Sequence, residues 1–220
     1  MNPRSPIFIE IVGTPAAGKT TLAGRIGHYL NRSGVSCFVA EEAALSYPGP
    51  SDDKLAPAFN EWTLAESMEA IDRHRSNRQF EVIILDRGVV DSLYWLSWFR
   101  SSRGYNEERY LKSVQLARPG VKLIGFVIFL TCTLDVAQSR RPGAGRIMNQ
   151  GIYPQLLANY NKQSVALEIG VQGLAHFRLD TGELQIGTVE SRVRSFLAMP
   201  QDGSREDLLA ALIRGQSTPR

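Results

Sequence analysis

One stretch limits the folds open to this chain more than any other: Gly13-Thr14-Pro15-Ala16-Ala17-Gly18-Lys19-Thr20. It lies between an apolar run, residues 7–12, that reads as a buried strand and residues 20–32, which read as a helix. Ser33-Gly34 closes that helix, glycine being suited to the helix C-cap. The connection matches G-x-x-x-x-G-K-T. Glycines let successive backbone N–H groups turn inward, and the start of the helix adds its positive dipole end, so such a loop binds anionic oxygens. In this pattern Lys19 reaches the β- and γ-phosphates of a nucleotide, and the Thr20 hydroxyl coordinates magnesium. The expected nucleotide contacts are therefore Gly13, Thr14, Pro15, Ala16, Ala17, Gly18, Lys19 and Thr20. Thr21 adjoins them in a position that also suits a structural role.

Further strand-like runs cover residues 36–40, 81–86, 123–130 and 175–179. Helical stretches cover residues 57–79, 89–99, 107–117, 133–139 (with Thr133 as N-cap), 152–169 and 189–197. Apolar strands separated by helices imply an α/β fold, a parallel sheet covered on both faces. Ligands in such sheets lie beyond the carboxyl ends of the strands. That rule selects the glycine-rich loop, Glu41 and Glu42, Asp86-Arg87-Gly88, and the loop after Thr131. With 220 residues, 43% of them hydrophobic and 21% charged, the chain can bury a sizeable core, and disordered or fibrous classes are excluded. The expected organisation is one domain over residues 1–198 and a C-terminal helical extension and tail over residues 199–220. Two cysteines, Cys37 and Cys132, exclude a disulfide-rich scaffold and a four-cysteine zinc site, and both read as buried. The run at residues 7–12 is too short for a signal-peptide core or a membrane span, so the expected location is cytoplasmic, with no membrane partner. A net charge of +3 suits phosphate handling and is too small to argue for a nucleic-acid partner.

Asp86 ends a buried apolar run, where a carboxylate can hold magnesium through water or accept a proton. Arg140, Arg141 and Arg146 flank Pro142-Gly143-Ala144-Gly145. Phosphoryl transfer needs positive charge near the developing phosphoryl charge, and a glycine-rich basic loop can close over it. A lid over residues 140–151 is the expectation; a solvated charge cluster is the alternative, and which arginine meets the phosphoryl group stays open.

On these residues the chain resembles the P-loop nucleoside and nucleotide kinases, a group that includes thymidylate kinase and the deoxyribonucleoside kinases. The resemblance is architectural over residues 6–198 and motif-level at four places. These are the glycine-rich loop, Asp86-Arg87-Gly88, the arginines from Arg140 to Arg146, and Asp180-Thr181-Gly182, in the region where such kinases often hold adenine. It implies a three-layer α/β/α P-loop NTPase fold with a five-stranded parallel sheet in the order 2-3-1-4-5. It implies an ATP- and Mg2+-dependent phosphotransferase whose partners are a nucleotide and a small acceptor, a nucleoside or nucleotide first of all; a homodimer is compatible with it. By the same resemblance Thr20 and Asp86 belong to the magnesium shell and Arg87 contacts the acceptor. Arg140, Arg141 and Arg146 serve the lid, Arg141 on the nucleotide side. A glutamate after the second strand is the base, Glu42 ahead of Glu41. Glu42-Ala43-Ala44-Leu45-Ser46-Tyr47 also looks like the Glu-x-Ala-Arg-x-Tyr of nicotinamide riboside kinases, with Leu45 in place of the arginine. The Arg-Glu-Pro-Gly-Gly run usual in thymidylate kinases is absent, which argues against dTMP as acceptor. Phe59, Asn60, Trp62, Tyr94 and Trp95 lie on helices that wall the acceptor pocket in the kinases this chain resembles, with Asp91 a further polar candidate, although aromatics at helical spacing also build cores. Other acceptors (a vitamin precursor, an antibiotic, a modified base in DNA) and a regulatory NTPase are the alternatives.

Overall fold

The computed structural model describes residues 5–49, 56–76, 79–142 and 151–198. The C-terminal extension expected over residues 199–220, and Arg146 with most of the expected lid, lie outside the described residues.

The strands are β1 (Ile7–Gly13), β2 (Cys37–Ala40), β3 (Val82–Asp86), β4 (Ile124–Thr131) and β5 (Ala175–Asp180). All pairings are parallel and the order is β2-β3-β1-β4-β5, as expected. β1 and β3 are buried at every residue, which suits central strands covered on both faces and explains their nearly unbroken branched apolar sequences. The helices are α1 (Lys19–Arg32), α2 (Pro57–Arg75), α3 (Val89–Arg103), α4 (Glu107–Val121), α5 (Leu134–Arg140), α6 (Tyr153–Asn161), α7 (Gln163–Glu168) and α8 (Ile186–Leu197).

Alternation along β1 sends side chains into two cores. Ile9 and Ile11 pack with Leu22, Ile26 and Leu30 of α1 and with Val189, Val193 and Phe196 of α8. Phe8 and Val12 face the other way, among Leu93, Tyr94 and Trp98 of α3, Tyr110 of α4 and Tyr160 of α6. The result is three layers. The carboxyl ends of β1, β2, β3 and β4 then open on one rim, where their connecting loops gather.

Two expectations about helices need correction. Residues 152–169 do not form one helix: α6 ends at Asn161, Lys162 is extended at φ −72 and ψ 117, and α7 follows. No glycine or proline marks the break. Arg178 of β5 donates to the Tyr160 carbonyl at 2.8 Å, supplying a partner for an oxygen at the helix end. α4, in contrast, runs through Pro119 to Val121 instead of stopping near Ala117. Proline removes one donor near the helix end, and burial of Gly120 and Val121 keeps the last turn helical. Among the described residues no helix is long and apolar enough to cross a membrane.

Candidate active site

At the end of β1, Gly13 has φ +139, and a Cβ there would sit 1.7 Å from the Leu130 carbonyl oxygen of β4. Only glycine lets the chain leave the sheet at this point. The next residue is pinned: the Thr14 amide donates to Leu130 O at 3.1 Å, and Thr14 Oγ1 accepts from the Cys132 amide at 3.2 Å. Ala16 (φ 58) and Gly18 (φ 93) are both left-handed, and the loop coils directly into α1. For alanine that conformation costs about 1–2 kcal/mol, the kind of local strain that functional loops carry.

Lys19 is only 4% exposed, and its Nζ donates to the carbonyl oxygens of Gly13 (2.9 Å) and Thr14 (2.8 Å). Burial, helped by the Arg87 charge, pulls this ammonium down to about 8 against the opposing carboxylates of Asp91, Asp86 and Glu42. Exposed Thr20 and Thr21, together with Ala16, Ala17 and Gly18, line a cavity of about 390 Å3. Its far side comes from the turn between β5 and α8 and from α8, through Thr181, Leu184, Ile186 and Val189.

Two side chains that flank the expected lid grip the loop from outside. Tyr153 Oη donates to Pro15 O at 3.0 Å. Arg140 donates to Ala16 O (3.3 Å), Thr181 Oγ1 (2.9 Å), Thr181 O (3.0 Å) and Gly182 O (3.0 Å), joining the loop to the β5–α8 turn. Arg141 is exposed beside it.

β3 ends in Asp86, and the chain turns through Arg87 at φ 60. Asp86 is 4% exposed, and its Oδ1 is buried without a hydrogen-bond partner. The guanidinium of Arg87 meets Glu42, Nη1 to Oε1, at 3.1 Å. A second cavity, of about 240 Å3, lies beyond this pair, walled by Phe59 and Asn60 of α2 and by Asp91, Ser92 and Trp95 of α3. Glu42, Arg87 and Arg141 line both cavities, so the two spaces meet at one carboxylate and two guanidinium groups. The helix spacing explains the convergence on the α3 side: positions 88, 91, 92 and 95 share one face of the first two turns.

Several sequence-level candidates lie elsewhere. Glu41 is exposed and lines neither cavity. Tyr94 is core: it stacks on Tyr160 at 5.1 Å between ring centroids. Trp62 packs against Tyr47 and does not line the second cavity. Asp86 sits beneath the junction rather than on a cavity wall. Conversely, sequence reasoning gave no role to Glu10, Tyr153 or Tyr160. Glu10 did leave a signal, as the one carboxylate in an apolar strand; the tyrosines left none.

The residues suit magnesium. It takes hard oxygen ligands and keeps several waters; the buried Asp86 Oδ1 without a partner and the exposed Thr20 hydroxyl on the loop cavity are oxygens of that kind. Among the described residues no group of three or more His, Cys, Asp or Glu side chains converges as a self-sufficient metal site. An ion would therefore need further oxygens from a bound phosphate or water.

No protein-family model and no curated protein matches this chain. Solved structures do. Deoxyadenosine kinase from M. mycoides with bound dATP is 20% identical, covers 88% of this chain and 100% of its own, and gives a TM-score of 0.65. The same enzyme with bound dCTP gives 0.64, at 20% identity, over 87% of this chain and 98% of its own. Thymidylate kinase from Candida albicans gives 0.53 at 19% identity, over 88% of this chain and 91% of its own. The chain thus shares the fold of these two kinases.

Proposed function

We propose that this chain is a kinase that transfers the γ-phosphoryl group of ATP to a small acceptor, a nucleoside or nucleotide. The observation that carries the reading is the meeting of two cavities at Glu42, Arg87 and Arg141, one of them built on the phosphate loop. A simple nucleotide-hydrolysing switch needs the first cavity and no second. The solved neighbours with this fold, a deoxyadenosine kinase and a thymidylate kinase, support the acceptor class.

Each residue has a part. Lys19 and the loop amides hold the β- and γ-phosphates, and anionic oxygens compensate the burial of its ammonium. Magnesium bound with ATP would be held by Thr20 and, through water, by Asp86; it supplies charge neutralisation on the phosphates. An acceptor hydroxyl attacks the γ-phosphorus, the bond from that phosphorus to the bridging oxygen breaks, ADP leaves, and Glu42 takes the hydroxyl proton. A carboxylate at the junction suits a hydroxyl acceptor better than a phosphate, which it would repel. Arg87 holds Glu42 in place and contacts the acceptor. Of the described lid arginines, Arg141 faces the transferred group, while Arg140 holds the two walls of the donor cavity together. Two unpaired buried thiols, Cys37 and Cys132, suit a reducing compartment such as the cytoplasm.

The test is ADP release from Mg-ATP across a panel of nucleosides, nucleoside monophosphates and hydroxylated metabolites, with Lys19→Ala as blank. Acceptor-dependent release that vanishes in the blank is the expected result. Slow release that no acceptor changes would replace the kinase by a regulatory NTPase.

A further inference from the structure

Two buried acids, Glu10 behind the site and Asp91 on its wall, have no part in the transfer chemistry above. Glu10 is in the middle of β1 and fully buried, opposite Leu85 of β3 and Val127 of β4. Its side chain leaves the sheet on the α3 side, as Phe8 and Val12 do. There Oε2 accepts from the Val90 amide at 3.1 Å and Oε1 from the Asp91 amide at 2.8 Å. These are unpaired donors of the first turn of α3, met by a carboxyl group from inside the sheet rather than by a local cap. The fit is close: a Cβ on Gly88 would lie 2.8 Å from the Glu10 carboxyl carbon.

Asp91 belongs to that turn and is 2% exposed. Its Oδ1 accepts from the Gly13 amide at 3.1 Å and from Tyr160 Oη at 2.7 Å. It also lines the acceptor-side cavity. A continuous set of hydrogen bonds therefore runs from the interior of β1 through the first turn of α3 to the first residue of the phosphate loop, and α6 braces it.

We propose that Glu10 and Asp91 are positioning residues that fix the phosphate loop to the wall of the acceptor cavity, so that both halves of the site hold one relative position. The consequence for ATP binding rests on the kinase reading; the bracing itself does not. The physical argument is one of satisfaction. Burying two carboxylates is unfavourable, and apolar side chains in their place would leave the amides of Gly13, Val90 and Asp91 without acceptors in a dry interior. A fully bonded polar network there rigidifies what it joins. The Arg87-Gly88 turn is held in the same way, because it leads into the turn that Glu10 caps.

The experiment compares the full-length wild type with Asp91→Ala, Asp91→Asn, Tyr160→Phe and Glu10→Gln. It reads amide hydrogen exchange over residues 13–20, Mg-ATP affinity by calorimetry, and thermal melting. Asp91→Ala is expected to speed loop exchange and to weaken ATP binding, each by about tenfold, after correction for any change in global stability. Asp91→Asn keeps an Oδ1 acceptor and is expected to restore both to within about threefold of wild type. Glu10→Gln, which keeps one acceptor of two, and Tyr160→Phe are expected to fall between. Loop exchange at the wild-type rate in Asp91→Ala, or equal losses in Asp91→Ala and Asp91→Asn, overturns the proposal. If Asp91→Ala does not fold, unchanged loop exchange in both Tyr160→Phe and Glu10→Gln overturns it. A wild type that does not bind ATP sinks the kinase reading instead, and the exchange comparison still decides the brace.

Discussion

In the proposed kinase, the donor half of the site and the acceptor half are built on different principles. The donor half rests on one contiguous stretch, residues 13–21, whose character is largely backbone: a helix start, two left-handed residues and one buried lysine, with Arg140, the β5–α8 turn and α8 closing its far side. The acceptor half is made of side chains drawn from the turn after β2, from α2, from the first turns of α3 and from the end of α5. A backbone-built site tolerates any nucleotide that presents phosphates. A side-chain-built site can be respecified by a few substitutions. The division suits an enzyme with a common donor and a particular acceptor.

The largest effect should come from the donor half. Lys19→Ala is expected to lower turnover by about a thousandfold, or about 4 kcal/mol, with ATP affinity also reduced. Turnover within about tenfold of wild type would break the contrast at its strongest point. Gly13→Ala tests the backbone claim by stability. With Leu130 O only 1.7 Å from the new Cβ and φ at +139, unfolding free energy should fall by about 3 kcal/mol or more on chemical denaturation.

Glu42→Gln probes the junction. Turnover should drop by about a hundredfold while ATP affinity holds, because a base acts on the acceptor proton and not on the donor. Glu41→Gln, at an exposed neighbour that lines neither cavity, should change turnover by no more than about twofold. Reversal of the two results would move the base to Glu41.

The last prediction concerns pH. Burial, opposed by the amides of Asp91 and Val90, raises the Glu10 carboxyl to about 8 from its ordinary 4.5. Between those values the unfolded chain has released this proton and the native chain still holds it, so stability falls as pH rises through that window. The decline approaches about 1.4 kcal/mol per pH unit for one proton. Lys19 acts in the next window with the opposite sign. Its ammonium is lowered to about 8 from 10.5, so the native chain loses that proton first and stability recovers as pH rises further. Glu10→Gln should flatten the decline below pH 8 and leave the recovery above it, as read by denaturation midpoints across pH.

The same contrast governs how much could be read from residues alone. The alternation of strands and helices, the phosphate loop and the Asp86-Arg87-Gly88 turn were legible because each is local, whereas the strand order was implied by the resemblance to the kinases. Apolar runs alternate with amphipathic ones, and G-x-x-x-x-G-K-T states its own geometry. Glu42, rather than Glu41, at the junction was legible only as a preference between neighbours, since which of two adjacent side chains turns inward depends on how the turn packs. Tyr94 and Trp62 show the limit. Both lie at helical spacing that would suit a pocket or a core, and the packing put one in the core and the other against Tyr47.

Sequence alone, then, determined the layered α/β class, the anion-binding loop and the rim of the sheet where chemistry gathers. Each is an outcome of period, propensity and short-range spacing. Contacts between distant residues decided the rest. Arg178 met the end of α6, Arg140 joined two loops, and Asp91 took the Gly13 amide across 78 positions of chain. Such bonds leave no local trace, because a buried polar group is satisfied by whatever partner the finished packing brings to it.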